Sequence, residues 1–406
     1  MNAISKYLCV SSLSAFCAAC GSDAGIGGGS DEPGMTSFGI VAGDLNNDGF
    51  DDFSLSTTIV SGPPPHDGFL SVFLQDASNP GAFIRSARLD TEWDPGAIDI
   101  ADFNGDTVPD LVVQKVTLST NDSDSRFAVF YQDSAATGRF PVSQETALSL
   151  ISHIEAIDVD GDRLTDIVTV GAETTIFVNT PGSPGVLAVN QTAPISGSIV
   201  RAGDLNGDGQ VDLVIGVGNP GLLRILVQRN NQFELVNEID VGDQLNPISL
   251  DDVNLDGRLD IVAGSFPSLG SRSSRASLVL QAQDPLPQGE FLPPVHYLTD
   301  FSIRGVGVAD VNGDSLPDIV TAHNLSTIID NDVTLESSVG VLIQTSGGSF
   351  ESAVMYAVDG QASVVALGDF NGDGLTDVVT NSDGAVILFN DPATPGTFLL
   401  PVPIGR

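Results

Sequence analysis

Short apolar runs rich in β-branched residues recur along the whole chain, separated by polar turns. No stretch keeps helical periodicity for three turns, so the pattern predicts strands throughout. The runs fall into seven copies of one unit. Each opens on a short apolar segment, such as Phe38-Gly39-Ile40-Val41, Ala97-Ile98-Asp99-Ile100, Ile199-Val200-Arg201-Ala202 or Val364-Val365-Ala366-Leu367. An acidic loop follows, then a second strand (Leu111-Val112-Val113, Leu213-Val214-Ile215, Val378-Val379) and a third (Ala128-Val129-Phe130-Tyr131, Val386-Ile387-Leu388-Phe389). Next comes a turn ending on a large residue: Phe83, Phe140, Phe233, Phe291, Phe350 or Phe398, with Val186 in the third copy. One Phe per unit reads as core. A more polar fourth strand completes the copy.

Four antiparallel strands repeated seven times predict an all-β fold, a seven-bladed β-propeller whose blades cover each other's faces around an axis. Blades are expected at about 36–92, 93–148, 149–195, 196–243, 244–300, 301–359 and 360–406. The last unit ends with its own fourth strand, so the ring can close without exchanging one.

The loops read Asp-x-Asn/Asp-x-Asp-x-x-x-Asp and start at Asp44, Asp102, Asp158, Asp204, Asp252, Asp310 and Asp369. Positions 1, 3, 5 and 9 offer side-chain oxygens and position 7 a backbone carbonyl. The candidate ligand sets are, in chain order, Asp44, Asn46, Asp48, Phe50 and Asp52; Asp102, Asn104, Asp106, Val108 and Asp110; Asp158, Asp160, Asp162, Leu164 and Asp166; Asp204, Asn206, Asp208, Gln210 and Asp212; Asp252, Asn254, Asp256, Arg258 and Asp260; Asp310, Asn312, Asp314, Leu316 and Asp318; Asp369, Asn371, Asp373, Leu375 and Asp377. An all-oxygen cage without His or Cys suits a hard cation, and flexible geometry favours Ca2+ over Mg2+. Up to seven calcium ions are expected. The loop is no EF-hand, because position 9 opens a strand and no helices flank it. Glycine at positions 4 and 6 would permit left-handed backbone angles. Copies four and seven have both, which ranks them the tightest sites.

Two segments match a known pattern closely: Gly203-Asp204-Leu205-Asn206-Gly207-Asp208-Gly209-Gln210-Val211-Asp212-Leu213-Val214 and Gly368-Asp369-Phe370-Asn371-Gly372-Asp373-Gly374-Leu375-Thr376-Asp377-Val378-Val379. They resemble the FG-GAP/VCBS repeat, the calcium-loop blade of integrin α-subunit heads and many bacterial surface proteins. The resemblance spans 36–406 and implies a propeller with the loop between first and second strands. The Phe-Gly and Gly-Ala-Pro elements of the integrin version are mostly absent, so its ligand-binding role is not carried over.

Net charge is −38, and 22 of the 53 acidic residues are candidate ligands. The acidity reads mainly as metal sites and argues against a nucleic-acid partner. All three cysteines (Cys9, Cys17, Cys20) lie in the first 20 residues. There, Lys6 and an apolar run from Tyr7 to Ala19 form a secretory signal over 1–19. Cys17-Ala18-Ala19-Cys20-Gly21 resembles the bacterial lipoprotein signal, which would lipidate Cys20; Cys17 departs from it, and a plain cleaved signal also fits. Residues 20–35 read as a flexible tether. The expected location is extracytoplasmic: the bacterial outer membrane or cell surface as a lipoprotein, or free secretion, with the lipid as sole membrane contact.

Extra residues fall between second and third strands at Ser61 to Gly68, Thr117 to Arg126, Ser265 to Arg275 and Thr321 to Ser338, on the face opposite the acidic loops. This arc is the expected recognition surface, with Arg272 and Arg275 a small positive spot. No nucleophile motif or phosphate loop occurs. His153 and Glu155, on one side of a first strand near the channel, are the weak acid–base candidates. The sequence therefore points to a monomeric, non-catalytic binding or adhesion module with a protein or polysaccharide ligand. The alternative is a calcium-dependent lectin or carbohydrate-active lyase or hydrolase.

Overall fold

A computed structural model of the chain describes residues 8–10, 34–60, 67–91, 93–115, 125–148, 150–242, 244–266, 276–281, 291–299, 302–329, 332–382 and 384–404. These form seven antiparallel sheets, each made of strands consecutive in sequence and ordered from first to last across the sheet. Blade 4 is representative, with strands Ile199–Gly203, Asp212–Val217, Gly221–Arg229 and Gln232–Gly242. Its second strand runs between the first and third, with Ile215 opposite both Val200 and Arg224. Both faces of a blade are covered by neighbours. Second strands therefore read as unbroken apolar runs rather than alternating ones, and Leu213, Val214 and Ile215 are all buried.

The core is a set of layers between blades. Val168 and Val170 of blade 3 pack with Val200, Leu213 and Leu226 of blade 4. Ile199, Val214 and Ile225 on the other face of blade 4 pack with Ile248 and Ile261 of blade 5. The seam between blades 7 and 1 closes the ring without an exchanged strand, since Val365–Gly368, Asp377–Ser382, Gly384–Leu388 and Val402–Ile404 supply all of blade 7. An aromatic cluster fills that seam: Phe53 stacks on Phe73 at 4.8 Å between centroids, and Phe370 from blade 7 meets Phe53 edge-on at 6.1 Å. The Asp51 carboxylate also accepts the Asp369 N–H at 2.8 Å across the seam.

Three sequence expectations change in detail. Val186 is 53% exposed, and its neighbour Leu187 packs on the core of blades 2 and 3 instead. The difference is one of strand parity, because successive residues face opposite sides. Thr321 to Ser338 is not a loop: strands Asp318–Ile329 and Asp332–Leu342 pair from Ile319 and Leu342 out to Ile329 and Asp332, a long hairpin. Leu8–Val10, inside the segment read as a signal, pairs antiparallel with the first strand of blade 1 (Leu8 opposite Val41, Val10 opposite Gly39) and makes that sheet five-stranded. Cys17, Cys20, Arg272, Arg275 and most of the insertions in blades 1, 2 and 5 lie outside the described residues.

Because the closing seam has no strand exchange, its aromatic cluster must carry the closure. Phe53→Ala is expected to cost about 3–5 kcal/mol, read as a lower midpoint in chemical denaturation. A loss below about 1 kcal/mol would show that closure depends on other contacts.

Candidate metal centres and the central channel

Each acidic loop connects the first and second strands of its blade, and the loops share one conformation. In blade 4 the Asp204 carboxylate accepts the N–H groups of Gly207, Asp208 and Gly209 at 2.7, 3.2 and 2.8 Å. Asn206 Oδ1 accepts the Asp208 N–H, and Asp208 Oδ1 accepts the Gln210 N–H. The same bonds to positions 1, 3 and 5 recur in blade 7 through Asp369, Asn371 and Asp373, and in blade 1 through Asp44, Asn46 and Asp48. Short Asx side chains bonding to the backbone just ahead of them hold such a turn locally.

Positions 4 and 6 are left-handed in all seven loops. Asn47, Gly105, Gly161, Gly207, Leu255, Gly313 and Gly372 occupy position 4, and Gly49, Thr107, Arg163, Gly209, Gly257, Ser315 and Gly374 position 6, with φ between 58° and 91°. Every loop therefore requires both positive-φ residues, and five loops place one non-glycine there. Thr107 (φ 72°) is the most strained by type, because a β-branched side chain crowds the backbone in that region.

Position 9 plays a different part from positions 1, 3 and 5. Asp52, Asp110, Asp166, Asp212, Asp260, Asp318 and Asp377 are all fully buried. Asp212 Oδ2 accepts the N–H of Leu205, and Oδ1 accepts the N–H of Gln228 at the end of the third strand. The equivalent pair is made in blades 1, 2, 3, 6 and 7. In blade 5 Asp260 takes the N–H and side-chain amide of Asn254. Burial raises these carboxyls well above the ordinary range despite the N–H donors: Asp52 and Asp377 to about 8, Asp110 to about 7, and Asp166, Asp212 and Asp318 to about 6. Neighbouring loop carboxylates add to the rise.

The amide side chain at or just past the end of the third strand was not singled out by sequence reasoning. Gln132, Asn179, Gln228, Gln344 and Asn390 each donate their amide N–H to the position-2 carbonyl of the preceding blade's loop: Leu45, Phe103, Val159, Val253 and Val311, at 2.6–2.9 Å. Gln75 reaches Asp369 O at 3.3 Å across the closing seam. Six loops are thus fastened to the next blade, and Gln283, the blade 5 residue that would meet the blade 4 loop, lies outside the described residues. The signal was present as an Asn or Gln at one place in each unit, masked because an amide beside a turn is unremarkable.

Among the described residues, blade 3 brings its acids closest together: carboxylate oxygens of Asp158, Asp160 and Asp166 all lie within 4.8 Å of one another. This is the one copy with Asp rather than Asn at position 3. Three such oxygens, with the Leu164 carbonyl beyond them in sequence, are a donor set that could hold a hard cation.

The second feature is the channel. His153 and Glu155 lie on the first strand of blade 3 (Ile151–Ile157) and are both buried. They do not simply pair. Arg201 of blade 4 stands between them, with Nη1 2.9 Å from Glu155 Oε2 and 3.5 Å from His153 Nε2, while its Nε donates to Ile248 O of blade 5 at 3.0 Å. Burial and the Arg201 charge hold His153 well below its ordinary pKa, so it is neutral. Arg201 was missed because sequence distance hid a contact across 46 residues. Nearby, a cavity of about 300 Å³ is lined by Asp99, Glu155, Arg201 and Asp251 among others.

With these features described, comparison with known proteins adds the class. Residues 204–263 and 252–321 match the FG-GAP-like repeat family. The protein is a seven-bladed β-propeller carrying FG-GAP-like repeats. No curated protein matches its sequence. Among solved structures it is similar to a protein named as a 6-phosphogluconolactonase (BF1038) from Bacteroides fragilis, with 12% identity over 84% of this chain and 91% of that one, TM-score 0.51. Another is the exotype rhamnogalacturonan lyase YesX, with 12% identity over 86% of this chain and 70% of that one, TM-score 0.49. At 12% identity neither brings an activity to this chain.

Two expectations follow from the loops. Thr107→Gly relieves a left-handed β-branched residue and is expected to stabilise the protein by about 1 kcal/mol, read as a rise in melting temperature; Thr107→Val should lower it. The position-9 carboxyls ionise near pH 4 when unfolded but only at about 6 to 8 when folded. Between those values the folded state binds more protons, so their contribution to stability falls as pH rises. In metal-free buffer the melting temperature should be higher at pH 5 than at pH 8, as differential scanning calorimetry would record.

Proposed function

We propose that this is an exported, calcium-stabilised β-propeller that serves as a non-catalytic binding or adhesion module at the cell surface. The observation that carries the reading is the shared loop geometry. All seven loops have the same two left-handed residues, and their position-1, 3 and 5 oxygens are held by local N–H groups in the blades just described. Calcium would bind through those oxygens, the position-7 carbonyl and the position-9 carboxylate.

The ion's role is structural in this reading. The position-9 carboxylate is already bonded to the third strand and to position 2, so a cation at positions 1, 3 and 5 would offset buried negative charge and pin the hairpin. The absence of a nucleophile motif and the neutral, Arg-braced His153 favour binding over catalysis. Attachment through lipid on Cys20 remains part of the proposal, with a protein or polysaccharide as the ligand and the propeller acting as a monomer. The buried His153, Glu155 and Arg201 beside a cavity favour a second reading, a calcium-dependent lectin or carbohydrate-active enzyme.

A single site at 100 times its Kd adds about 2.7 kcal/mol of stability. The melting temperature of the purified protein should therefore rise steeply as calcium reaches the millimolar range and fall on chelation, with magnesium a poor substitute. An unchanged melting temperature on chelation would overturn the calcium reading.

A further inference from the structure

Equivalent positions in seven blades can be compared directly, with one difference in their surroundings: the Leu8–Val10 strand lies beside the first strands of blades 1, 2, 5, 6 and 7. The third residue ahead of each acidic loop is Val41, Asp99, Glu155, Arg201, Ser249, Gly307 and Ala366 in blades 1 to 7. Six of these seven, from Asp99 to Ala366, line the 300 Å³ cavity, so this level of the first strands forms its wall. The seventh, Val41, sits opposite Leu8 in the extra strand of blade 1.

The ring is divided by chemistry. Blades 6, 7 and 1 contribute Gly307, Ala366 and Val41, small or apolar residues on first strands that the Leu8–Val10 strand also lies against. Blades 2 to 5 contribute Asp99, Glu155, Arg201 and Ser249. Asp99 is 1% exposed, Arg201 4% and Glu155 9%. Burying charges costs stability unless each is compensated, and even a well-paired set is rarely better than an apolar replacement. Other positions depart from the repeat on the same side of the ring. The residue directly ahead of the loop is Gly, Ala or Ile in six blades and Asp251 in blade 5; five residues ahead, His153 stands where other blades have Gly, Ala, Ile, Pro or Val. Local departures from an otherwise consistent pattern mark function in preference to stability.

The arc is built rather than accidental. Asp99 Oδ2 accepts the Ala156 N–H of blade 3 at 2.8 Å, and Oδ1 takes the N–H of Ile100. Arg201 is fixed through Nε to blade 5 and through Nη1 to Glu155. Its Nη2 is buried with no hydrogen-bond partner among the described residues, a donor left for a ligand to satisfy. Across the cavity, Val308 and Leu367 add apolar atoms to the lining, their side chains otherwise packed in the layer between blades 6 and 7.

We propose that this arc is a binding site for a neutral, polyhydroxylated ligand, a single saccharide unit, entering the central channel from the acidic-loop face. Charge selects the class. Arg201 at the middle of the arc opposes a cation; Asp99, Glu155 and Asp251 oppose an anion. Hydroxyl groups both donate and accept, so they can serve carboxylates, guanidinium and the Ser249 hydroxyl together. The C–H face of a pyranose would rest on Val308 and Leu367. A volume of about 300 Å³ is at the small end of ligand pockets and suits one ring. This deepens the second reading above by giving it a site and a ligand class, and it rests on the fold and the ring, not on calcium.

The test is saturation-transfer NMR on the full chain at saturating calcium, with glucose, galactose, mannose and rhamnose as neutral probes and galacturonic acid and glucosamine as charged ones. At least one neutral pyranose should bind, and the charged sugars should bind no better. Arg201→Lys keeps the charge beside Glu155 but removes the guanidinium fork, and should weaken binding about tenfold or more, the equivalent of one charge-assisted hydrogen bond. Should that variant melt early, Ser249→Ala decides: it copies the Ala366 found at the same place in blade 7, and should weaken binding about threefold to tenfold with the melting temperature unchanged. No binding by any neutral pyranose, tighter binding by a charged sugar, or undiminished binding by a folded variant would overturn the proposal. Affinity electrophoresis through polysaccharide gels separates the two readings, because retardation that survives in a protein deaf to monosaccharides would keep the lectin reading and move its site out of the channel.

Discussion

A carboxylate buried at the end of each acidic loop must find hydrogen-bond donors, because an unsatisfied buried charge costs far more than a single bond returns. In six blades the position-9 aspartate meets that demand by taking one N–H from the start of its own loop and another from the far end of the third strand, and in blade 5 Asp260 takes the N–H and side-chain amide of Asn254. The constraint reaches outward from there. Holding the third strand at that point sets the following Asn or Gln against the carbonyl of the preceding blade's loop. Loop shape, blade register and blade-to-blade docking are therefore one linked arrangement. It recurs in six blades, and the closing contact from Gln75, which reaches the position-1 carbonyl of Asp369, is stretched to 3.3 Å.

The same arrangement explains why the loops tolerate strain. Two left-handed residues per loop are required whatever the sequence supplies, and Asn47, Thr107, Arg163, Leu255 and Ser315 adopt that conformation without glycine's freedom. A loop fixed at both ends by buried bonds over-determines its middle. The Asp and Asn side chains left over at positions 1, 3 and 5 are exposed or half-exposed and turned inward on themselves, an arrangement suited to a cation. By contrast, the charges at Asp99, Glu155 and Arg201 have no counterpart at the same level of the first strands of blades 6, 7 and 1, so the symmetric scaffold carries an asymmetric interior.

The sequence exposed a large part of this architecture. Loop spacing, repeated seven times, located every first and second strand, because ligand-type residues must fall at fixed places in a tight turn. The Phe after the third strand was legible as core wherever parity held, and misleading at Val186, where a shift of one residue exchanges the faces. The Thr321 to Ser338 hairpin was hidden because its Asn, Ser, Thr and Asp residues resemble loop composition although their backbones pair.

What the sequence determined by itself was local and periodic: seven units, four strands in each, a common loop, and its oxygen donors. These follow from short-range sterics and alternation, which act within a few residues. Only the tertiary structure decided which units touch, and so which side chains meet. Arg201 reaches Glu155 and Ile248 from separate blades, Asp99 braces blade 3, and Phe370 finds Phe53 across the closing seam. Ring closure brings those residues together, since no local rule relates positions 46, 47, 57 or 317 residues apart.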